Sequence, residues 1–378
     1  MNHFDYIFTG AGCSGLSVLT RLITEDALRN KTVLLIDRSA KDSNDRTWCY
    51  WEKGEGYFES IVHRSWDKLS VYGNDYAQTH TIHPYKYKMI RGLDFYEHCF
   101  AFIKEKTNIT ILREEVLGIG NTDGKAYATT PSGTFTASYV FNSILFNQPV
   151  MKAGQYHLLQ HFKGFIIRTS QPSFNPVIAT LMDFRISQDP GTSFVYVLPL
   201  SDNQALVEYT LFTKDLLTQP AYDKAVHDYV RQVLRISDYD VVSTEFGIIP
   251  MTNFSFPTHD GNIIHIGTAG GQTKPSTGYT FTFIQKQANF IVKMLAAGRF
   301  PVPGPSLSRK KFDWYDGTLL SVLANKKLPG SFIFTELFRK NRISDVFAFL
   351  DNETSLLQDI RVIRVLPKWI FAKAALWK

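Results

Sequence analysis

The chain has 378 residues, 44% hydrophobic and 20% charged, with a formal net charge of +6. That length can bury a large core in two closely joined domains, and the composition excludes a disordered or fibrous chain. Three scattered cysteines exclude a disulfide framework and suit a reducing cytosol. No run of about twenty apolar residues offers a membrane span, no nucleic-acid recognition module accompanies the positive charge, and the N-terminus enters a fold strand too directly for a signal peptide.

Tyr6-Ile7-Phe8 reads as a buried strand. Gly10, Gly12 and Gly15 follow in G-x-G-x-x-G spacing, and then Leu16, Leu19, Leu22 and Ile23 at helical spacing. In such a unit the first glycine permits a tight turn, the second lets the backbone approach a pyrophosphate, and the third packs helix on strand. The helix N-terminus offers free N–H groups and a positive dipole end to the phosphates. A second strand, 31–36, ends in Asp37, 22 residues beyond Gly15, where an acid bonds the ribose hydroxyls of an adenosine. The plainer alternative is a solvated acid at a strand end.

A polar loop then leads to Asp45-Arg46-Thr47-Trp48-Cys49-Tyr50-Trp51. In a flavin enzyme this loop reaches back over the cofactor, which would turn Arg46 toward flavin or pyrophosphate; a surface arginine beside a packed tryptophan is the competing reading. Residues 66–90 alternate like strands and predict a small sheet. A helix is predicted from Asp94 to Lys106, a strand from Ile109 to Ile119, a hairpin turn at Asn121-Thr122-Asp123-Gly124, a return strand from Tyr127 to Phe135, and a short buried strand at Tyr139–Ser143. This order suits a flavin-binding domain, since a plain NAD domain would continue as βαβ units.

From Gln148 the parallel rhythm stops. Strands are predicted at 162–170, 177–184, 194–199 and 205–213, with a helix at 221–235, as a second, substrate-binding sheet. Flavin-domain chain is expected to resume near Glu245, through Gly247-Ile248-Ile249-Pro250. A late strand, 262–267, runs into a glycine-rich stretch with Gly267, Gly271 and Gly278 before a helix from Tyr279. It reads either as a second helix-terminus cradle for the cofactor or as an ordinary connection. Pro301-Val302-Pro303-Gly304-Pro305 is a stiff linker to a helical region. Residues 361–378 carry Arg361, Arg364, Lys368, Lys373 and Lys378, no acid, and Trp369, Phe371 and Trp377 between them. That pattern suits a segment lying on a membrane surface, or a packed helix with a basic outer face.

The fold class is therefore α/β: a Rossmann-like FAD-binding domain of the glutathione-reductase type (1–65, 91–147 and 245–300), an inserted β-sheet substrate domain (66–90 and 148–244), and a helical C-terminal region (301–378). No metal site is expected, because His80-x-x-His83 lacks further ligands at suitable spacing. Glu114-Glu115 reads as a solvated pair. Two acids stand in apolar strands, Asp183 and Glu208. A carboxyl facing inward from such a strand is desolvated, its pKa rises, and it can serve as an acid near neutral pH; an outward, solvated Glu208 is the alternative.

In its order of motifs the chain resembles the flavin-dependent lycopene cyclases, in the bacterial beta-cyclase form. The matching stretches are 5–15, Arg46-Thr47-Trp48-Cys49-Tyr50, Leu181-Met182-Asp183, Phe194 to Leu200 with Leu206-Val207-Glu208, Ile248-Ile249-Pro250, and Gly270-Gly271 through Pro275-Ser276-Thr277-Gly278-Tyr279. The resemblance implies Glu208 as the acid that protonates the terminal double bond of lycopene, with Asp183 and Tyr209 as possible supporting residues. It implies reduced FAD, NAD(P)H as a visiting reductant, no net redox change, a lipophilic carotenoid substrate, and a cytoplasmic protein held peripherally at the inner face of the cell membrane. Two departures stand out. The family usually places a second acid after the essential glutamate, where this chain has Tyr209, so burial alone is expected to raise the pKa of Glu208. Gln272-Thr273-Lys274 replaces a more apolar stretch. The rival readings are an FAD-dependent hydroxylase or prenyl reductase on the same fold, and a non-catalytic membrane-surface flavoprotein.

Overall fold

The computed structural model describes residues 2–376; Trp377 and Lys378 of the basic stretch lie outside the described residues. The chain begins with β1 (His3–Thr9), α1 (Cys13–Thr24), β2 (Val33–Ile36), β3 (Thr47–Lys53), β4 (Arg64–Trp66), β5 (Lys68–Gly73), β6 (Tyr76–Thr81), β7 (Tyr85–Arg91) and α2 (Gly92–Lys104). Eight strands follow: β8 (Ile109–Leu112), β9 (Gly118–Thr122), β10 (Lys125–Thr130), β11 (Gly133–Asn142), β12 (His157–Arg168), β13 (Ile178–Asp183), β14 (Thr192–Pro199) and β15 (Gln204–Thr213). Then come α3 (Gln219–Gln232), β16 (Asp240–Thr252), β17 (His259–Asp260), β18 (Ile263–His265) and α4 (Phe281–Ala296). The C-terminal region is helical: α5 (Leu307–Ala324), α6 (Gly330–Lys340), α7 (Ile343–Leu350), α8 (Leu356–Ile363) and α9 (Lys368–Leu376).

Three sheets result. The first is 8-stranded, with β17-β18-β11-β1-β2-β8 in order and the β9–β10 hairpin attached to β11. Its central strands run parallel. Strands buried on both faces read as unbroken apolar runs, and Ile7, Phe8, Leu34 and Leu35 are all buried. Helices α1, α2 and α4 cover one face. The hairpin turns on Asp123 and Gly124, with φ of 45° and 73°, as a two-residue loop of right-twisted strands requires. The strand expected from Ile109 to Ile119 breaks after Leu112, because Arg113, Glu114 and Glu115 leave the sheet and Glu114 accepts hydrogen bonds from Ser132.

The second sheet has the order β16-β12-β15-β14-β13-β5-β6 and is antiparallel except where β13 meets β5. The third is β3-β7-β4. Two sequence expectations therefore distribute differently. Residues 66–90 supply strands to two sheets, and residues 245–252, expected to resume the flavin-binding domain, are the second half of β16, paired along β12. One face of the second sheet packs on α3 through Val207, Tyr209, Leu211 and Tyr222. The other contributes Leu206 and Phe212 to a core shared with the third sheet and the C-terminal helices. Among the described residues no helix is long and apolar enough to cross a membrane.

Candidate active site

The glycine loop joins β1 to α1. A methyl group on Gly15 would collide with the carbonyl oxygen of Gly10, so helix and loop meet at van der Waals contact there. A methyl on Gly12 would meet nothing within 4 Å. That open side lies at the N-terminus of α1, which has no side-chain cap and no acid in its first turn, so its N–H groups are available to an anion. At the end of β2, Asp37 accepts the Ala11 N–H at 2.6 Å and the Ser39 N–H at 2.7 Å, which fixes its carboxylate beside the loop. Gly10 turns at φ 105°, packed on Ser143.

The late glycine stretch forms a short 3-10 turn, Gly267–Gly270, ended by Gly271 in the left-handed region. Gly267 packs on Ser14 of α1, which brings the two glycine segments together. Gly278 has φ 73°, and the Gln160 carbonyl fills the place of its missing side chain. Just before it, buried Lys274 pairs with Asp316 of α5 at 2.8 Å and donates to Asn352 at 2.7 Å. The charge that departs from the family pattern is thereby neutralised.

Between the late glycine stretch, β3 and the inner face of the second sheet lies a cavity of about 590 Å³. Its walls include Trp48, Tyr87, Phe162, Tyr196, Tyr279 and Phe281 as well as Leu198 and Leu206. Arg46 and Asp45 stand among its lining residues on the β3 side. Two buried polar atoms lining it, Gln160 Oε1 and Thr277 Oγ1, have no hydrogen-bond partner, a feature that suits a polar-edged ligand.

Besides Asp45, two carboxyl residues line this cavity, and their meeting follows from strand register. Glu208 on β15 and Glu245 on β16 both lie opposite Gly164 of the intervening β12. With no side chain at Gly164, the glutamates lean toward each other across it and couple. Burial pushes the pKa of Glu208 well above the ordinary carboxylate value, and the charge of Glu245 pushes it further; the Thr210 hydroxyl donating at 3.0 Å opposes weakly. Burial also raises Glu245, but the Thr47 hydroxyl, donating at 2.6 Å, and the Arg46 charge favour its ionised form. As in other carboxyl pairs, the two titrate together, and the contrast in surroundings leaves Glu208 as the better holder of the shared proton.

Of the sequence candidates, Glu208 faces the cavity, and Arg46 lines it near Glu245. Tyr209 does not join them: alternation along β15 turns it to the α3 face. Asp183 is also elsewhere, fully buried, paired with Arg185 at 2.6 Å and accepting the Tyr229 hydroxyl from α3 at 2.8 Å. The expectation that Glu208 has no like-charge neighbour is corrected by Glu245. That residue reads in the sequence only as a boundary; an acid ahead of the apolar Phe246-Gly247-Ile248-Ile249 was the available signal. A second, more apolar cavity of about 430 Å³ lies among the C-terminal helices, lined by Trp314, Phe334, Ile363, Arg364, Lys368 and Phe371.

A dinucleotide-type loop on one parallel sheet and a second, largely antiparallel sheet with a cavity at its inner face define a Rossmann-like flavoprotein fold. Solved structures share it. A flavoprotein/dehydrogenase from Cytophaga hutchinsonii superposes with a TM-score of 0.64 at 10% identity, covering 99% of each chain. A geranylgeranyl bacteriochlorophyll reductase-like protein from Thermoplasma acidophilum gives 0.60 at 12%, covering 99% of this chain and 96% of that one. A probable FAD-dependent monooxygenase from Pseudomonas aeruginosa gives 0.58 at 12%, covering 88% and 99%. At such identities the likeness is one of fold. Within that fold the chain belongs to the lycopene cyclase family, whose model, "Lycopene cyclase protein", matches residues 5–375. It is similar to the lycopene beta-cyclase of Paracoccus sp. (strain N81106 / MBIC 01143), with 29% identity over 138 residues, a match spanning 35% of either protein.

Proposed function

We propose that the chain is a lycopene beta-cyclase that closes the ψ-ends of lycopene to β-rings, giving γ-carotene and β-carotene, with FAD in its reduced form and no net redox change. The observation that carries this reading is Glu208, a carboxylic acid whose pKa is raised by burial and by Glu245, on the wall of an aromatic cavity that the late glycine stretch also lines. An alkene is a very weak base, so its protonation needs a neutral acid held against it where water cannot compete. Glu208 delivers its proton to the terminal double bond, leaving a tertiary cation. The next double bond attacks that cation and closes a six-membered ring; loss of a proton restores neutrality. The aromatic rings of Tyr196, Tyr279, Phe162 and Phe281 that line the cavity suit a transient cation.

The residues present fit FAD: Gly10, Gly12, Gly15 and Asp37 at one end, Gly267, Gly271 and Gly278 at the other, with Arg46 near the cavity. Bound and reduced, FAD would supply an electron-rich surface that favours cationic charge nearby. NAD(P)H is assigned as a reductant arriving from solution, because the sequence holds one dinucleotide fingerprint. The substrate is dissolved in lipid, and we place the protein in the cytoplasm against the inner face of the cell membrane. Supporting this, α8 and α9 expose Leu357 (79%) and Trp369 (81%) beside Arg361, Arg364, Lys368 and Lys373.

The test is expression in a lycopene-accumulating host with pigment analysis. A cyclic product isomeric with lycopene is expected. A product that has gained oxygen or hydrogen would favour the hydroxylase or reductase reading instead.

A further inference from the structure

We propose that Glu245 is the proton acceptor of this reaction, taking from the new ring the proton whose loss creates the β-ring double bond. The proposal rests on the cyclase reading above and assigns the half of the chemistry that Glu208 leaves open.

The two glutamates occupy equivalent register positions on either side of Gly164, yet their surroundings differ. Glu208 accepts one hydrogen bond, from Thr210. Glu245 Oε2 accepts the Thr47 hydroxyl from the third sheet, and Arg46 is the cation near it. Burial raises both carboxyls, but only Glu245 has a donor hydroxyl and a cation to oppose it, so of the two Glu208 is the better holder of the proton and Glu245 the better place for a negative charge. The other titratable groups facing this space are Cys49, Tyr87, Tyr196 and Tyr279, and burial pushes all four toward their neutral forms. Asp45, also lining the cavity, accepts the Tyr96 hydroxyl at 2.8 Å. Among the described residues lining the cavity, Glu245 is the carboxyl that lies beside Glu208 across Gly164.

The chemistry asks for this spacing. In a β-ring, the carbon that gains a proton and the carbon that loses one are both bonded to the same quaternary carbon. They are about 2.5 Å apart, two C–C bonds at a tetrahedral angle. An acid and a base serving such atoms must be neighbours. The balance is closed. The Glu208 O–H bond breaks as the terminal double bond's π pair forms a C–H bond, and the π pair of the next double bond then forms the ring C–C bond, leaving the cation in the ring. The second C–H bond breaks toward Glu245, its electrons becoming the ring double bond. Glu245 now holds the proton taken from the ring, Glu208 having left its own on the substrate, and transfer of a proton from Glu245 to Glu208 resets the pair.

Without its base, the ring cation would lose a proton from another neighbouring carbon. Glu245→Gln in the flavin-loaded full chain should therefore slow cyclisation by about a hundredfold and shift part of the residual product to ε- or γ-type rings, resolved by chromatography and NMR. Gly164→Ala is a second route to the same readout. A methyl there would lie 2.8 Å from Leu206 Cδ1 and 3.2 Å from Glu245 Oε1, forcing the pair apart without removing either carboxyl. It too should yield displaced double bonds, and Glu245→Asp should restore β-rings in part. If either folded variant, Glu245→Gln or Gly164→Ala, makes β-rings alone, at any rate, Glu245 is not the acceptor. If the unaltered chain forms no ring at all, the cyclase reading fails, and this assignment with it.

Discussion

At Glu208, burial and Glu245 act in the same direction, so the proton is kept above the usual carboxylate range. Activity should accordingly fall on the alkaline side, as pH rises through this raised value. Glu208→Gln keeps size and hydrogen bonding but has no proton to give. It should retain flavin and fold while losing cyclisation by about a hundred- to ten-thousand-fold or more, measured as β-carotene formed per bound FAD. Gly12→Val would put a branched side chain into the open side of the loop, and the purified variant should show no flavin absorbance. Glu208 was legible in the sequence because an acid in an apolar alternating run has two possible faces, one of them functional. Which face each residue takes was not legible, so Tyr209 and Asp183 were grouped with it although both meet α3. Glu245 was hidden for another reason. Its partnership depends on two strand registers and on the missing side chain of Gly164, none of which has a local signature.

Among the elements, those with strong local period came through the sequence well: α1 after its glycine loop, α2, the Asp123-Gly124 hairpin, α4 and the C-terminal helices. Sheet membership did not, because a strand's partner is a long-range choice. Thus β5–β6 joined the second sheet while β7 joined β3, and β16 extended the second sheet beyond the expected boundary. The basic, aromatic C-terminal stretch was legible as composition, and α8 and α9 leave much of it exposed. Leu357→Ser with Trp369→Ser should lower the fraction of protein co-sedimenting with anionic liposomes several-fold, and salt should weaken the unaltered protein's binding. Equal sedimentation of the folded double variant would show that these helices only pack.

For the molecule as a whole, the fold class was legible from the fingerprint and the change of rhythm at Gln148; how the parts lock together was not. One lock is Asp351, which accepts the Trp51 indole N–H at 2.8 Å and so ties the third sheet to the C-terminal helices. Burial, reinforced by Glu353, outweighs Lys286 and Lys274 and raises its pKa to about 7. The folded value exceeds the unfolded one, so this contribution to stability is complete below about pH 4 and is lost as pH rises through about 7. Melting temperature should fall between pH 5 and 8, and Asp351→Asn should flatten that slope. The hydrogen bond from Thr47 to Glu245 joins residues 198 positions apart, on different sheets. A contact so distant along the chain carries the entropic cost of closing a long loop. The raised pKa values of Glu208 and Glu245 depend on burial that this docking helps to complete. The acidity of the pair is thus a property of the assembled molecule, set where the sheets meet and carried by no single strand.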